Sequence, residues 1–338
     1  MTRNCIDFLQ IILIITLTSK KGAAMLTRLT TAFLILFLSA SSALAQLSIV
    51  ATTGMIADAA RQIGGDHVEV RALMGPGVDP HAYRQTRSDI VAMTRADLVL
   101  WHGLYLEAQM EDFFQDLSRR RTVVAVAESL PRDLLLSHGD YENRYDPHVW
   151  MVPDLWQHVA VAVRNALIAA DPDNAAVYTA NAQAFSAELE TVSDYAAQAL
   201  PTVPQDQRVL LTAHDAFNYF GNAYGFEVLG IQGISTESEA GLARIAELVD
   251  LLVDRNVQAV FVESSVSDRN IRALIEGAAA RGHQVHIGGE LYSDAMGSPG
   301  TYEGTYMGMI DHNVTTITLS LGGTAPERGM TGQLSAGM

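Results

Sequence analysis

Cysteine is the scarcest residue of this sequence. A single thiol, Cys5, occurs in 338 residues, so no disulfide framework can brace the fold and stability has to come from a large apolar core. Basic residues are also in short supply: 22 Lys+Arg stand against 38 Asp+Glu, a formal charge of −16. Such a surplus of acid repels phosphate backbones and anionic lipid, which excludes nucleic acid and a charged membrane surface as partners. Long apolar runs are missing too. The most lipophilic stretches fall within residues 1–45, and each is shorter than the roughly 20 apolar residues of a membrane-spanning helix.

From Met25 the chain reads MLTRLTTAFLILFLSASSALA, where Arg28 supplies a basic start, Ala32 to Leu38 an apolar run, and Ala43 and Ala45 small residues before a cut. This is the layout of a secretory signal peptide with cleavage near Ala45. Residues 1–24 hold a second short apolar run and read as an over-extended start, a transmembrane anchor being the alternative. Removing residues 1–45 takes away Cys5, four basic residues and one acidic residue, leaving 18 Lys+Arg against 37 Asp+Glu and a charge of −19. No cysteine stands at the cut to accept a lipid. The expected product is a free, soluble, acidic periplasmic protein, monomeric, of about 290 residues, enough for two domains of ordinary size.

Strand-like and helix-like segments alternate along that product. LSIVAT (47–52), HVEVRAL (67–73), ADLVLWHG (96–103) and RTVVAVAE (121–128) are short runs rich in β-branched and apolar residues. Apolar residues at helical spacing follow the first, and LEAQMEDFFQDLSRR separates the last two. Residues 154–200 lack any strand signal. A break at DPD (171–173), with Pro172 suited to a first helical turn, separates two helices, the second about 25 residues and roughly 38 Å long. Strand signals resume at 208–214, 226–232, 257–263 and 283–289, with helices expected at 239–255, 268–281 and 304–321.

The predicted fold class is α/β, with two lobes of parallel-type sheets flanked by helices. An N-terminal lobe spans 46–172, one long linking helix lies within 173–204, and a C-terminal lobe spans 205–322. The small, polar segment 323–338 reads as a disordered tail. Sequence repetition between the halves is too faint to register.

Three histidines fall where such a fold gathers ligands, beyond the carboxyl ends of strands. His81 sits in GPGVDPHAY (75–83), His148 in DPHVW (146–150), and His214 ends RVLLTAH. An Asp-Pro pair that merely starts a turn accounts for one DPH; two of them, joined by a third histidine at a strand end, fit a metal site better. The aromatics at 217, 219 and 220 fit core packing. One carboxylate would complete a closed four-ligand site for a divalent transition metal. Asp294, Glu290 and Glu263 all qualify locally, and local sequence does not choose among them.

DPHAY, DPHVW, TAHDAFNYFGNAYGFEVLGIQGISTESEAG, VFVESSVSDRNI and GGELYSDAMG with GTYEGTYMGMIDHN, in this order, resemble the metal-binding solute receptors of ABC importers, the group specific for zinc, manganese or iron. Steps of 67, 66 and 80 residues separate His81, His148, His214 and Asp294, and they too are similar to that family. The resemblance implies that His81 and His148 come from the N-terminal lobe, that His214 and Asp294 come from the C-terminal lobe, and that the metal lies in the interlobe cleft. It implies as partners a membrane permease with its cytoplasmic ATPase. Asp79, Asp146, Glu263 and Glu290 are then candidates for orienting the ligands from behind. His102 stands where many relatives have Asn, outside the four-ligand set.

Nitrogen-rich ligation favours zinc over manganese. The family resemblance is divided: the His-rich acidic loop common in zinc-dedicated members is absent, residues 131–147 holding only His138, and GGELYSDAMG looks more like the manganese branch. Zinc and manganese are therefore both expected as cargo, iron less so. A zinc hydrolase, with three histidines, an open water position and Glu263 or Glu290 as base, is the competing class, although no HExxH-type motif is present. A metal-independent adhesin is a further alternative, in which the four ligands would be dispensable.

Overall fold

The computed structural model describes residues 46–138 and 141–335. The expected signal peptide and upstream extension, residues 1–45, lie outside the described residues. The first half alternates β1 (Leu47–Ala51), α1 (Gly54–Gly64), β2 (Val68–Ala72), α2 (Arg87–Arg95), β3 (Leu98–Trp101), α3 (Glu111–Ser118) and β4 (Thr122–Ala125). Every ladder is parallel and the strand order is β2-β1-β3-β4. Alternation along the strands sorts their side chains onto two faces. Ile49, Ala51, Leu98 and Leu100 enter one apolar cluster, while Val50 and Val99 meet Met93 of α2 and Phe114 of α3 on the other side, as a sheet covered on both faces requires.

Helices α4 (Pro153–Ala170) and α5 (Ala175–Ala199) follow. Pro153 occupies the first turn of α4, where its missing N–H costs nothing. Between the helices Asp171 accepts hydrogen bonds from Tyr178 and Asn174, turning the chain at the expected break. Tyr178, Ala182, Phe185, Leu189, Val192, Ala196 and Ala199 are buried at spacings of three and four, a stripe along the whole of α5. It packs on α4 and α1 and, further on, against α9 (Tyr306–Ser320) of the second half.

The second half holds β5 (Val209–Thr212), α6 (Asn218–Tyr224), β6 (Glu227–Gly230), α7 (Leu242–Asp254), β7 (Ala259–Glu263), α8 (Arg269–Ala280) and β8 (His286–Leu291). Its ladders, β5 with β6 and β7 with β8, are parallel, and β5 lies alongside β7. The spatial order β6-β5-β7-β8 repeats that of the first half, a symmetry the residues themselves do not display. Leu210, Ala259 and Phe261 join the same apolar cluster as Ile49 and Leu98, so both lobes and the long helix share one core.

Two sequence expectations are corrected. Helix α2 was not anticipated: only Asp89 and Met93 are buried along it, too few to print a period, and a Thr86–Asp89 capping box starts it. The segment expected as a disordered tail is docked over its described part, 323–335. Thr324 N–H donates to Thr202, Met330 N–H to Asp311 and Ser335 N–H to Glu303, and Leu334 is fully buried. The small residues of this segment fit a surface instead of preventing order.

Candidate metal centre

The two Asp-Pro-His tripeptides form the same turn. Asp79 Oδ1 accepts the N–H of His81 at 2.8 Å, and Asp146 Oδ1 accepts that of His148 at 2.9 Å. An aspartate carboxylate bonding the main chain two residues on, across a proline whose φ is preset, bends the chain and turns the following imidazole inward. His81 follows β2, His148 lies downstream of β4, and His214 and Asp294 come two and three residues after β5 and β8. His214 and Asp294 thus leave the carboxyl ends of parallel strands, whereas His81 and His148 are carried by the loops that follow β2 and β4. The cleft between the lobes brings them together.

His81, His148, His214 and Asp294 are all buried, and one donor atom of each lies within 4.8 Å of the others. His148 Nε2 is 3.3 Å from His81 Nε2, 3.3 Å from His214 Nε2 and 3.4 Å from Asp294 Oδ1; His214 Nε2 is 3.3 Å from Asp294 Oδ2. Donors at the corners of a tetrahedron with bonds of about 2.0–2.1 Å are separated by about 3.3–3.4 Å. The contacts that His148 and His214 make have that separation, and the whole set, within 4.8 Å, is close enough to converge on one ion.

Carboxylates behind the rings set the tautomers. Asp146 Oδ1 accepts from His148 Nδ1 at 2.7 Å, and Glu263 Oε2 from His214 Nδ1 at 2.5 Å, while Glu263 Oε1 takes the His214 main-chain N–H at 2.8 Å. With Nδ1 donating, each Nε2 lone pair faces the centre. Burial opposes charge on all three rings. For His148 it is outweighed by Asp146 and Asp294, which raise the ring to about 9; for His214, Asp294 and Glu263 raise it well above the usual range. For His81 burial wins: although Asp294 pulls the other way, burial, with His148 and His214 beside it, pushes the ring down to about 3. Burial also works against the Asp294 anion, yet the rings around it, His214 first, hold that carboxyl well below its ordinary value. Without a metal, protons on His148 and His214 balance the buried carboxylates; a bound cation would displace those protons and take over that charge.

A family model described as ZnuA, zinc-uptake complex component A periplasmic, matches residues 49–319. The chain belongs to this family. It is 48% identical over 276 residues to the manganese-binding lipoprotein MntA of Bacillus subtilis (strain 168), covering 82% of this chain and 90% of MntA. It is 45% identical over 273 residues to the zinc-binding protein TroA of Treponema pallidum (strain Nichols), covering 81% of this chain and 88% of TroA. A solved structure of periplasmic TroA superimposes with a TM-score of 0.80 over 82% of this chain and 99% of that one.

Of the remaining sequence candidates, Glu290 is placed elsewhere. It is exposed on β8 and its main-chain carbonyl accepts from His312, because alternation along the strand turns its side chain away from the cleft. Asp79 does not orient the His81 ring as expected. Its Oδ1 holds the main chain, and its Oδ2 accepts from Thr236 Oγ1 of the second lobe at 2.5 Å. His102 is fully buried behind the site, Nε2 2.7 Å from Pro147 O, with no hydrogen-bond partner at Nδ1; burial lowers it to about 3 and keeps it neutral.

Other contributors carried no sequence signal. Tyr219 packs in the core as expected, but its hydroxyl also donates to Asp146 O and accepts from Leu136 N–H. Asn218 donates to Asp146 Oδ2. Trp150 Nε1 donates to Ser293 O, and Asn313 brackets the Tyr292 main chain, so the Asp294 loop is held from both lobes. Each partner is remote in sequence, leaving only a polar residue at an apolar-looking position as a clue.

Proposed function

We propose that this protein captures a divalent transition metal, zinc or manganese, and delivers it to the membrane permease of an ABC importer driven by a cytoplasmic ATPase. The observation that carries the reading is the buried cluster of three imidazoles and one carboxylate, with one donor atom of each within 4.8 Å of the others. His81 and His148 from the lobe spanning 46–172 would bind the metal together with His214 and Asp294 from the lobe spanning 205–322, joined by the linking helix within 173–204. Asp146 and Glu263 would fix the ring tautomers.

Nitrogen ligation and donor separations of 3.3–3.4 Å favour zinc as the tighter ligand. The names of the relatives include both a manganese-binding and a zinc-binding protein, and cargo in the cell follows availability as well as affinity. A hydrolase needs an open metal position and a free base. In this reading Asp294 fills the fourth position, and both oxygens of Glu263 accept from His214. The protein is accordingly a receptor rather than an enzyme. It acts in the periplasm as a monomer, released by cleavage near Ala45. Its only cysteine, Cys5, lies far upstream of that cut, so it travels without the lipid that the name of MntA records.

The test is a competitive titration of the metal-stripped chain from Gln46 with zinc and manganese, followed by elemental analysis and an esterase and peptidase screen. One tight equivalent of metal, zinc the tighter, is expected, lost in His81→Ala and Asp294→Ala and without hydrolytic turnover. Absence of stoichiometric metal, or turnover that persists in Asp294→Ala, would overturn the reading.

A further inference from the structure

The four proposed ligands are not held alike. His148 and His214 have buried carboxylates bonded to their rings, and the Asp294 loop is bracketed by Trp150 and Asn313. His81 stands in the Gly-Pro loop 75–83, and the carboxylate serving it, Asp79, grips its main-chain N–H rather than its ring. The other oxygen of that carboxylate is engaged from the opposite lobe by the Thr236 hydroxyl.

Thr236 lies at a seam. Next to it, Glu237 accepts from Gln109 across the lobes. On the facing side Gly77, at φ +70, brings its loop so near the second lobe that an added Cβ would be 3.3 Å from Ser264 O. Between these contacts lies a cavity of about 170 Å³ bordered by Asp79, Thr236, Glu239, Ser265 and Asn270. The Ser265 hydroxyl is 3.4 Å from Asp294 Oδ2. The cavity therefore flanks the Asp79–Thr236 bond, with Arg269 also on its wall, and Ser265 stands between it and Asp294.

We propose that Thr236 is a positioning residue of the metal site: acting through Asp79 across the lobe boundary it holds His81 in place, and its release is the first step of metal departure. The inference rests on the four-ligand reading above. When the Thr236 hydroxyl lets go, the Asp79 carboxylate is free to turn, the loop 75–83 loses its tie to the second lobe, and His81 withdraws before the three better-braced ligands. Any movement that parts the lobes breaks this bond early, because it spans them at the cavity rim.

Zinc-loaded protein is mixed with excess chromophoric chelator in a stopped-flow instrument, comparing the unaltered chain with Thr236→Val and Thr236→Ser. Valine keeps the shape and removes the hydroxyl; serine restores the hydroxyl without the methyl. Zinc release from Thr236→Val is expected to be about tenfold faster, the scale of one hydrogen bond to a charged acceptor. Thr236→Ser should release zinc like the unaltered chain, and the metal-free melting temperatures should coincide. Release from Thr236→Val within about twofold of the unaltered chain would overturn the latch, taking the same hydrogen-bond scale as reference. So would Thr236→Ser matching Thr236→Val, since packing rather than the hydroxyl would then be responsible. Failure of the unaltered chain to retain zinc would instead overturn the metal-site reading, and the latch with it.

Discussion

Each aspartate of the two Asp-Pro-His turns serves the main chain with one oxygen, and the site differs in what the rest of the carboxylate does. Asp146 also orients the His148 ring and accepts from Asn218. Burial opposes its charge, and the facing His148 outweighs burial and holds the carboxyl below its usual range. In Asp146→Asn one oxygen can still accept, but the charge is lost and an amide NH2 meets the Asn218 amide. Zinc affinity should fall about 10–100-fold, the usual effect of removing such a ligand support, as read by chelator competition, while the variant stays folded.

Glu107 offers a pH test away from the ligands. It is fully buried, accepts from Thr52, His102 N–H and Gly103 N–H, and burial pushes its carboxyl up from 4.5 to about 7. The folded state therefore binds the proton more tightly than the unfolded chain. Its contribution is fully present below 4.5 and lost as pH rises through about 7, up to about 3 kcal/mol in all. Denaturation of the metal-free protein between pH 4.5 and 7.5 should show this component of the slope, and Glu107→Gln should remove it. An unchanged slope in the variant would refute the assignment.

At the scale of elements, the long helix was legible from its buried stripe, and the strands from short runs of β-branched and apolar residues. The stripe of α5 repeats along its whole length, and strands covered on both faces, such as β1 and β3, stand out as unbroken apolar runs. Helix α2 and the tail were not legible, since their order comes from particular hydrogen bonds. Asp311 of α9 accepts Met330 N–H with both oxygens, together with Tyr302 and Thr315 hydroxyls. A chain ending at Gly322 uncovers the Leu334 site and removes the Met330 donor. It should lose about 2 kcal/mol of stability in denaturant titration of the metal-free protein. Unchanged stability would mean that the docked segment contributes nothing.

For the whole molecule, the shared core limits motion. Residues from strands of both halves and from α1, α4, α5 and α9 belong to one apolar cluster, so wide hinge opening would expose surface that favours burial. Small displacements at the cleft are favoured instead. X-ray scattering of metal-free and zinc-loaded protein should give nearly superimposable curves, and a compaction of more than about 1 Å in a radius of gyration of about 19 Å would rule this out.

By itself the sequence determined the alternation of elements, the long helix and the presence of two identically built turns that aim histidines, because these depend on local periodicity and on the bonding of an aspartate two residues along its own chain. Resemblance to a family added the order of the four candidate ligands. Where each carboxylate lies came only from the tertiary structure. Asp294 faces the cluster, Glu263 stands behind His214, and Glu290 points away from both. It also decided that Asp79 ties two lobes and that the tail is docked. The physical reason is that a carboxylate's role is set by what its oxygens meet, and here the Thr236 partner of Asp79 lies 157 residues away, beyond the reach of any local pattern.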